Sequence, residues 1–210
     1  MKVFYVGNGK MINQINANNQ FTCVGIYDLN LYILMEKPDI IIDFSHPDFL
    51  EISIQKALEF KVPLLVGTTG YNKQQMAYLR ENSKVIPVIY SPNFCKGINL
   101  IKDFVVRHKN SLNKYQKNIQ ETHHQHKVDA PSGTALYLSE SLCDCNISSL
   151  RYGEIKGIHE VTFSNENEII TIRHEALSRQ IFAEGVYDAA CFLLKQKPGF
   201  YTYEDWLNYD

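Results

Sequence analysis

The chain has 210 residues, 45% hydrophobic and 21% charged, with a formal net charge of -2. That is an ordinary globular composition, enough for one large domain or two small ones. The charge balance supplies no basic field for nucleic acid or an anionic membrane, and no apolar stretch is long enough to span a bilayer.

The N-terminus runs directly into a strand pattern rather than a signal peptide. Residues 2–7 (KVFYVG) are an apolar run ending in glycine. Gly7 and Gly9 of VGNGKM predict a strand–turn–helix with the close backbone approach that a pyrophosphate needs. Ile12 occupies the place of the third glycine of GxGxxG, so the loop alone is an ambiguous signal. Residues 21–28 form a second apolar run closing on Asp28, where the ribose hydroxyls of a dinucleotide would lie. Residues 39–45 (DIIIDFS), 62–70 (VPLLVGTTG) and 84–92 (KVIPVIYSP) read as further strands, with helices over 47–60 and 72–82 between them. GTTG at 67–70 and SPNF at 91–94 fall at the carboxyl ends of strands, where ligands bind in such sheets, although each also fits a simple strand-end turn. Continuous apolar strands separated by helices imply a parallel sheet covered on both faces, a doubly wound α/β domain.

After a helix over 97–108 the pattern changes. Residues 114–122 predict a strand ending near His123, and 157–164 and 167–176 predict two more, joined by a hairpin-type turn at SNEN. Their alternation implies an antiparallel sheet. Val161, Phe163, Ile170 and Ile172 form a broad face that packs either within the chain or against another subunit. A long helix follows from Ile181 to the KPG at 197–199. A domain boundary is expected near Phe94, with the tail after Ser178 packing back on the first domain. The five cysteines lack CxxC spacing, and Cys143 and Cys145 fall on a predicted helix; reduced, cytoplasmic thiols are the simplest account.

Residues 121–135 (ETHHQHKVDAPSGTA) carry the densest chemistry. His123, His124, His126 and Lys127 lie at a strand exit, and Pro131 and Ser132 lead Gly133 and Thr134 into the first turn of the next helix. Histidine transfers protons near neutral pH, lysine adds a cation, and free N–H groups at a helix start favour a carboxylate or phosphate. Solvated strand-end histidines are the competing reading. A metal centre is the lesser one, because neither His159-Glu160 nor His174-Glu175 continues into HExxH.

Together these motifs resemble the 4-hydroxy-tetrahydrodipicolinate reductase family, also called dihydrodipicolinate reductase. HHQHKVDAPSGTA is similar to the family's signature almost residue for residue, and DFSHP, GTTG, SPNFCKGIN, GIHEVTF and RHEALSRQIFAEG match in order over nearly the whole chain. The resemblance implies a Rossmann-like dinucleotide-binding domain over 1–94, completed by a C-terminal helix over 179–210. It implies an α+β domain over 95–178, with a mainly antiparallel sheet, for substrate binding and tetramerisation. It also implies a homotetramer, without metal, nucleic acid or membrane. Such an enzyme reduces 4-hydroxy-tetrahydrodipicolinate to tetrahydrodipicolinate by hydride transfer from NADH or NADPH, in lysine and diaminopimelate biosynthesis. By matching, His123 is the catalytic acid or base, Lys127 a proton donor and substrate-carboxylate partner, and His124, Gly133 and Thr134 substrate contacts. Gly7, Asn8, Gly9, Lys10, Met11, Ile12, Asp28, Gly67, Thr68, Thr69, Ser91, Pro92, Asn93 and Phe94 make the cofactor surface.

The chain departs from the family at Ile12, in place of a glycine, at Cys95, in place of a serine, and in a trimmed segment before DFS. Asp28 without a neighbouring arginine favours NADH, while Lys10 is able to reach a 2′-phosphate, so use of both cofactors is expected. The alternative, which Ile12 and the trimmed segment would fit, is a non-catalytic dinucleotide-binding or sensor protein on the same scaffold.

Overall fold

A computed structural model describes residues 1–209, which divide into two units. One comprises residues 1–95 with the tail from Phe182 onward, and the other is Lys96–Ile181.

The first unit runs β1 (Lys2–Val6), α1 (Lys10–Asn16), β2 (Thr22–Asp28), β3 (Leu31–Leu34), β4 (Ile40–Asp43), α2 (Leu50–Phe60), β5 (Leu64–Val66), α3 (Lys73–Asn82) and β6 (Pro87–Tyr90). Its strands lie in the order β6-β5-β4-β1-β2-β3, parallel except for the β2–β3 pair. The apolar runs are central because nothing polar interrupts them. Ile40, Ile41, Ile42, Leu64, Leu65 and Val66 are wholly inaccessible, and burying each such side chain stabilises the fold by about 1.5–3 kcal/mol. Ile54 and Ala57 of α2 and Leu79 of α3 join Phe4, Val6 and Val88 in that core. A capping box starts α3: Asn72 accepts from the Gln75 amide, and the Gln75 side chain accepts from that of Asn72. The antiparallel β3 was not expected. A two-residue turn at Leu29 and Asn30 folds it back as a hairpin, where another parallel strand would need a long crossover. All four of its residues are exposed at the sheet edge, so no burial pattern marks it.

The second unit runs α4 (Lys96–Arg107), β7 (Gln116–His123), α5 (Gly133–Ser139), β8 (Cys145–Arg151), β9 (Ile158–Ser164) and β10 (Ile169–Glu175). The strand order is β10-β9-β7-β8, with β7 and β8 parallel and the other pairs antiparallel. Residues two apart share a strand face, so Ile119, Glu121 and His123 of β7 are buried beside His159, Val161 and Phe163 of β9. The helices α4 and α5 pack on each other and on this sheet. Val161 and Phe163 are therefore filled from within the chain, with Ile170 and Ile172 half-buried. The opposite face is polar: the hydroxyls of Thr162 and Thr171 are 3.3 Å apart, and Arg173 pairs with Glu160. Cys143 and Cys145 do not lie on a helix. The helix α5 stops at Ser139, Asp144 turns the chain at φ 53°, and Cys145 opens β8.

The tail holds α6 (Gln180–Leu193), β11 (Gly199–Tyr201) and α7 (Tyr203–Leu207), not one helix over 179–210. Pro198 and Gly199 cannot continue α6. GFY then pairs with β6 as a parallel seventh strand, and a Thr202–Asp205 capping box starts α7. A Cβ at Gly185 would fall 1.7 Å from the carbonyl oxygen of Phe94, so glycine alone allows α6 to lie against the 91–95 turn. Among the described residues, no helix is long and apolar enough to cross a membrane.

Candidate functional site

Parallel strands bring their carboxyl ends to one edge. The register aligns Val6, Asp43, Val66 and Tyr90 in a row. The next residues extend the ladder: the Gly67 amide donates to the Asp43 carbonyl at 2.8 Å and that of Ser91 to Val66 at 3.1 Å. Gly7 has φ +100°, and a Cβ there would lie 2.6 Å from the Phe44 carbonyl oxygen. A Cβ at Gly9 would meet nothing within 4 Å, and Gly9 caps α1 without a side chain, so none competes for the first-turn amides. Lys10 and Asn8 are exposed and Met11 half-buried beside that turn, while the half-buried Asp28 accepts from the Leu29 amide at 2.9 Å. Open space, uncapped amides and an acid at the second strand end fit the diphosphate and ribose of a dinucleotide.

Other expected cofactor residues shape this edge from beneath. Ile12 is 2% exposed and packs in the core. The Thr68 hydroxyl donates to Asp43 Oδ1 and accepts from the Ser45 amide, both at 2.7 Å. Gly67 lies against the Phe44 ring, 2.0 Å from where its Cβ would be. The Ser91 hydroxyl donates to the Asn93 carbonyl at 2.6 Å, Asn93 Oδ1 accepts from the Cys95 amide, and the Phe94 ring contacts those of Phe44 and Trp206. Thr69 and Pro92 are exposed. Sequence reasoning missed Asp43, whose inaccessible carboxylate accepts from the hydroxyls of Ser45, Ser53 and Thr68. Burial pushes its carboxyl up despite those donors. An acid ending the run DIIID was the available signal.

In the second unit β7 delivers Glu121 and His123, with His123 Nδ1 2.5 Å from Glu121 Oε2. Arg151 of β8, the register partner of His123, donates to both carboxylate oxygens, at 2.9 and 2.6 Å. The Ser132 amide donates to Oε1 at 3.1 Å. His159 of β9 faces Glu121 in register, its ring edge-on to that of His123 at 5.2 Å and its Nε2 3.2 Å from Ser132 Oγ. Burial alone would raise the Glu121 carboxyl, but hydrogen bonds from Arg151, Ser149 and His123 bring it down to about 2. Burial lowers His123 against the opposing pull of Glu121, and lowers His159 to about 3.

The strand ends at His123, and His124–Lys127 form a turn closed by the Lys127 amide on the His124 carbonyl at 3.1 Å. The alternation of an extended chain therefore does not apply to His124 and His126. His124 Nε2 accepts from Arg179 at 3.3 Å, whereas His126 is exposed beside Gln125. Lys127 Nζ donates to Asp129 Oδ1 at 2.7 Å. Ser132 caps α5 through the Ala135 amide. Gly133 is exposed with nothing within 4 Å of a Cβ, and Thr134 is half-buried. Glu121, Arg151, His159 and Arg179 were missed. Only the first had a local signal, since an acid two residues before a histidine on a strand shares its face. Glu121, His123 and His159 each place a possible metal-ligand atom within 4.8 Å of the others. Arg151 and Ser132 already occupy both Glu121 oxygens, so the group is a hydrogen-bonded network.

Residues 2–94 match the family described as dihydrodipicolinate reductase, N-terminus, and residues 97–207 that described as dihydrodipicolinate reductase, C-terminus. The chain is 39% identical to the 4-hydroxy-tetrahydrodipicolinate reductase of Thermosipho africanus, over 94% of this chain and 91% of that protein. It is 36% identical to that of Pelagibacter ubique, over 87% and 81%. Among solved structures, dipicolinate-bound dihydrodipicolinate reductase from Paenisporosarcina sp. TG-14 superposes with a TM-score of 0.79 at 20% identity, covering 96% of this chain and 97% of that one. An aspartate dehydrogenase from Thermotoga maritima shares the fold at a TM-score of 0.57, 13% identity, covering 94% and 97%.

Proposed function

The chain belongs to the dihydrodipicolinate reductase family, and from that premise we propose how its residues divide the work. The protein is an oxidoreductase of lysine and diaminopimelate biosynthesis that reduces 4-hydroxy-tetrahydrodipicolinate to tetrahydrodipicolinate with a nicotinamide dinucleotide. The nicotinamide supplies the hydride.

The strand-end edge of the first unit holds the dinucleotide, through the turn from Gly7 to Met11, Asp28, Thr69 and Pro92, braced from beneath by Ile12, Gly67, Thr68, Ser91, Asn93 and Phe94. Asp28 binds the ribose hydroxyls and repels a 2′-phosphate, while Lys10 attracts one, so both NADH and NADPH serve. The second unit holds the dicarboxylate. Lys127 and the amides of Gly133 and Thr134 receive a carboxylate, with His124 beside them. The Paenisporosarcina relative binds dipicolinate, itself a dicarboxylate. Asp129, which accepts from both Lys127 and the Gly133 amide in this structure, gives way to that carboxylate. The 4-hydroxyl leaves as water to give the conjugated imine, and hydride addition to that ring leaves negative charge, which Lys127 quenches with a proton while His123 acts as acid or base.

The observation that carries this reading is the buried Glu121–His123 pair, four residues from an ammonium and beside a helix start at which Gly133 leaves open space. The five cysteines are free thiols, which suits the cytoplasm, and the assembled form is a homotetramer. The test is NADH and NADPH oxidation, followed optically, with substrate made in place from pyruvate and aspartate semialdehyde by the preceding synthase. Oxidation that needs every component is expected, and none from folded protein would overturn the assignment. Sedimentation should show four chains, and a monomer at micromolar concentration would refute the tetramer.

A further inference from the structure

Glu121 is wholly inaccessible, yet its carboxylate accepts from three different parts of the second unit. The donors are Arg151 and Ser149 of β8, the Ser132 amide before α5, and His123 of its own strand. An ionised carboxylate only accepts hydrogen bonds, so its contact with His123 requires the hydrogen on Nδ1 and leaves Nε2 with a lone pair. Gly157 keeps that nitrogen clear, since a Cβ there would lie 3.1 Å from Nε2. The charged and titratable groups around the ring are Glu121 and Arg151, His159 of β9, which burial keeps neutral, and Lys127 in the next turn.

We propose that Glu121, anchored by Arg151, is the positioning residue of the reductase: it sets His123 in the Nδ1–H tautomer with Nε2 presented for proton transfer, and holds the Ser132 turn in register with it. The proposal rests on His123 as the proton-transfer group. It explains why a charge is tolerated in a fully buried position: breaking the Glu121–Arg151 pair from either side would leave an unpaired buried ion.

Glu121→Gln discriminates between positioning and mere packing. The amide retains the volume, but its NH2 needs an acceptor. Arg151 and the Ser132 amide only donate, and with Ser149→Ala added to remove the one hydroxyl able to accept, the nitrogen turns to His123 Nδ1 and forces the hydrogen to Nε2. Imidazole 15N NMR of histidine-labelled protein at pH 8 should show Nδ1–H in the wild type and Nε2–H in the variant. With that flip, kcat should fall on the order of 100-fold or more, as when other histidines lose an orienting carboxylate, with KM within about threefold. Glu121→Asp, which keeps the charge, should recover part of kcat. An Nε2–H tautomer in the wild type overturns the proposal without any variant, as does unchanged kcat in the Glu121→Gln, Ser149→Ala double variant. Failure of the underlying reading appears separately, as a His123→Asn variant with full turnover alongside an Nδ1–H wild-type spectrum.

Discussion

Lys127 is the residue whose removal should cost the most activity for the least structural damage. Its side chain is 22% exposed and its partner Asp129 57%, and such pairs contribute about 0–1 kcal/mol. Lys127→Ala should therefore melt within a few degrees of the wild type, while kcat falls about 100-fold or more. Cofactor affinity without substrate, read by fluorescence titration, should change less than twofold. Near-normal turnover would remove Lys127 from the chemistry. At the other end of the reaction, Asp28→Asn takes away one negative charge near the proposed ribose site. The ratio of kcat/KM for NADPH over NADH should rise roughly tenfold, equivalent to about 1.4 kcal/mol. An unchanged ratio would mean that Asp28 does not face the ribose. Both residues were named from the sequence because Asp28 ends an apolar strand run and Lys127 follows the histidines of a recognisable motif.

At the scale of elements, two glycines make opposite demands. Gly185 lets α6 touch backbone at the 91–95 turn, and the oxygen it faces cannot rotate away as a side chain would. Gly185→Ala should cost about 3 kcal/mol and lower the melting temperature by roughly 6–12 °C. Gly133 begins α5 in open space, where alanine is the better helix former by up to about 1 kcal/mol. Gly133→Ala should melt at or above the wild-type temperature, yet show a raised KM for the dicarboxylate because its methyl enters the proposed binding space. An unchanged KM would move the substrate away from this turn. The elements that escaped sequence reading are β3, β8, β11 and α7. The edge strand β3 is wholly exposed, β11 and α7 have three and five residues, too few to show a period, and β8 alternates only between half-buried and exposed positions, so hydrophobic periodicity has little to register.

For the whole molecule, the buried histidines set the response to acid. His159 has its folded pKa at about 3, against 6.5 for the free side chain. Between those values the unfolded chain binds a proton that the folded chain refuses. Its contribution to stability is thus complete above pH 6.5 and lost as pH falls toward 3. From pH 7 to pH 5 the loss from His159 alone is about 2 kcal/mol, and burial shifts His123 and His174 in the same direction. Glu121, whose carboxyl is depressed to about 2, adds a further loss below about pH 4.5. Trp206 lies in the first unit, so amide hydrogen exchange in β7 and β9 is the measurement that reports on the second. Protection there should fall with acid, and more weakly in His159→Phe. A pH-independent opening free energy between pH 7 and 5 would contradict this account.

The sequence by itself determined the class of fold, the strand-end glycine and acid positions, and the His123–Thr134 stretch with the family it belongs to. Those properties are local: a buried strand is an apolar run, a turn is a glycine or proline, and the signature is contiguous. Only the tertiary structure decided which of these residues face outward and which brace the site. Thr68 and Ile12 sit in motifs that point to a ligand, yet hydrogen bonding to Asp43 and core packing claim their side chains. Glu121, Arg151 and His159 carry no joint pattern along the chain. They meet because the register of three strands places His123 beside Arg151 and Glu121 beside His159, and strand register is set by pairings between segments distant in sequence.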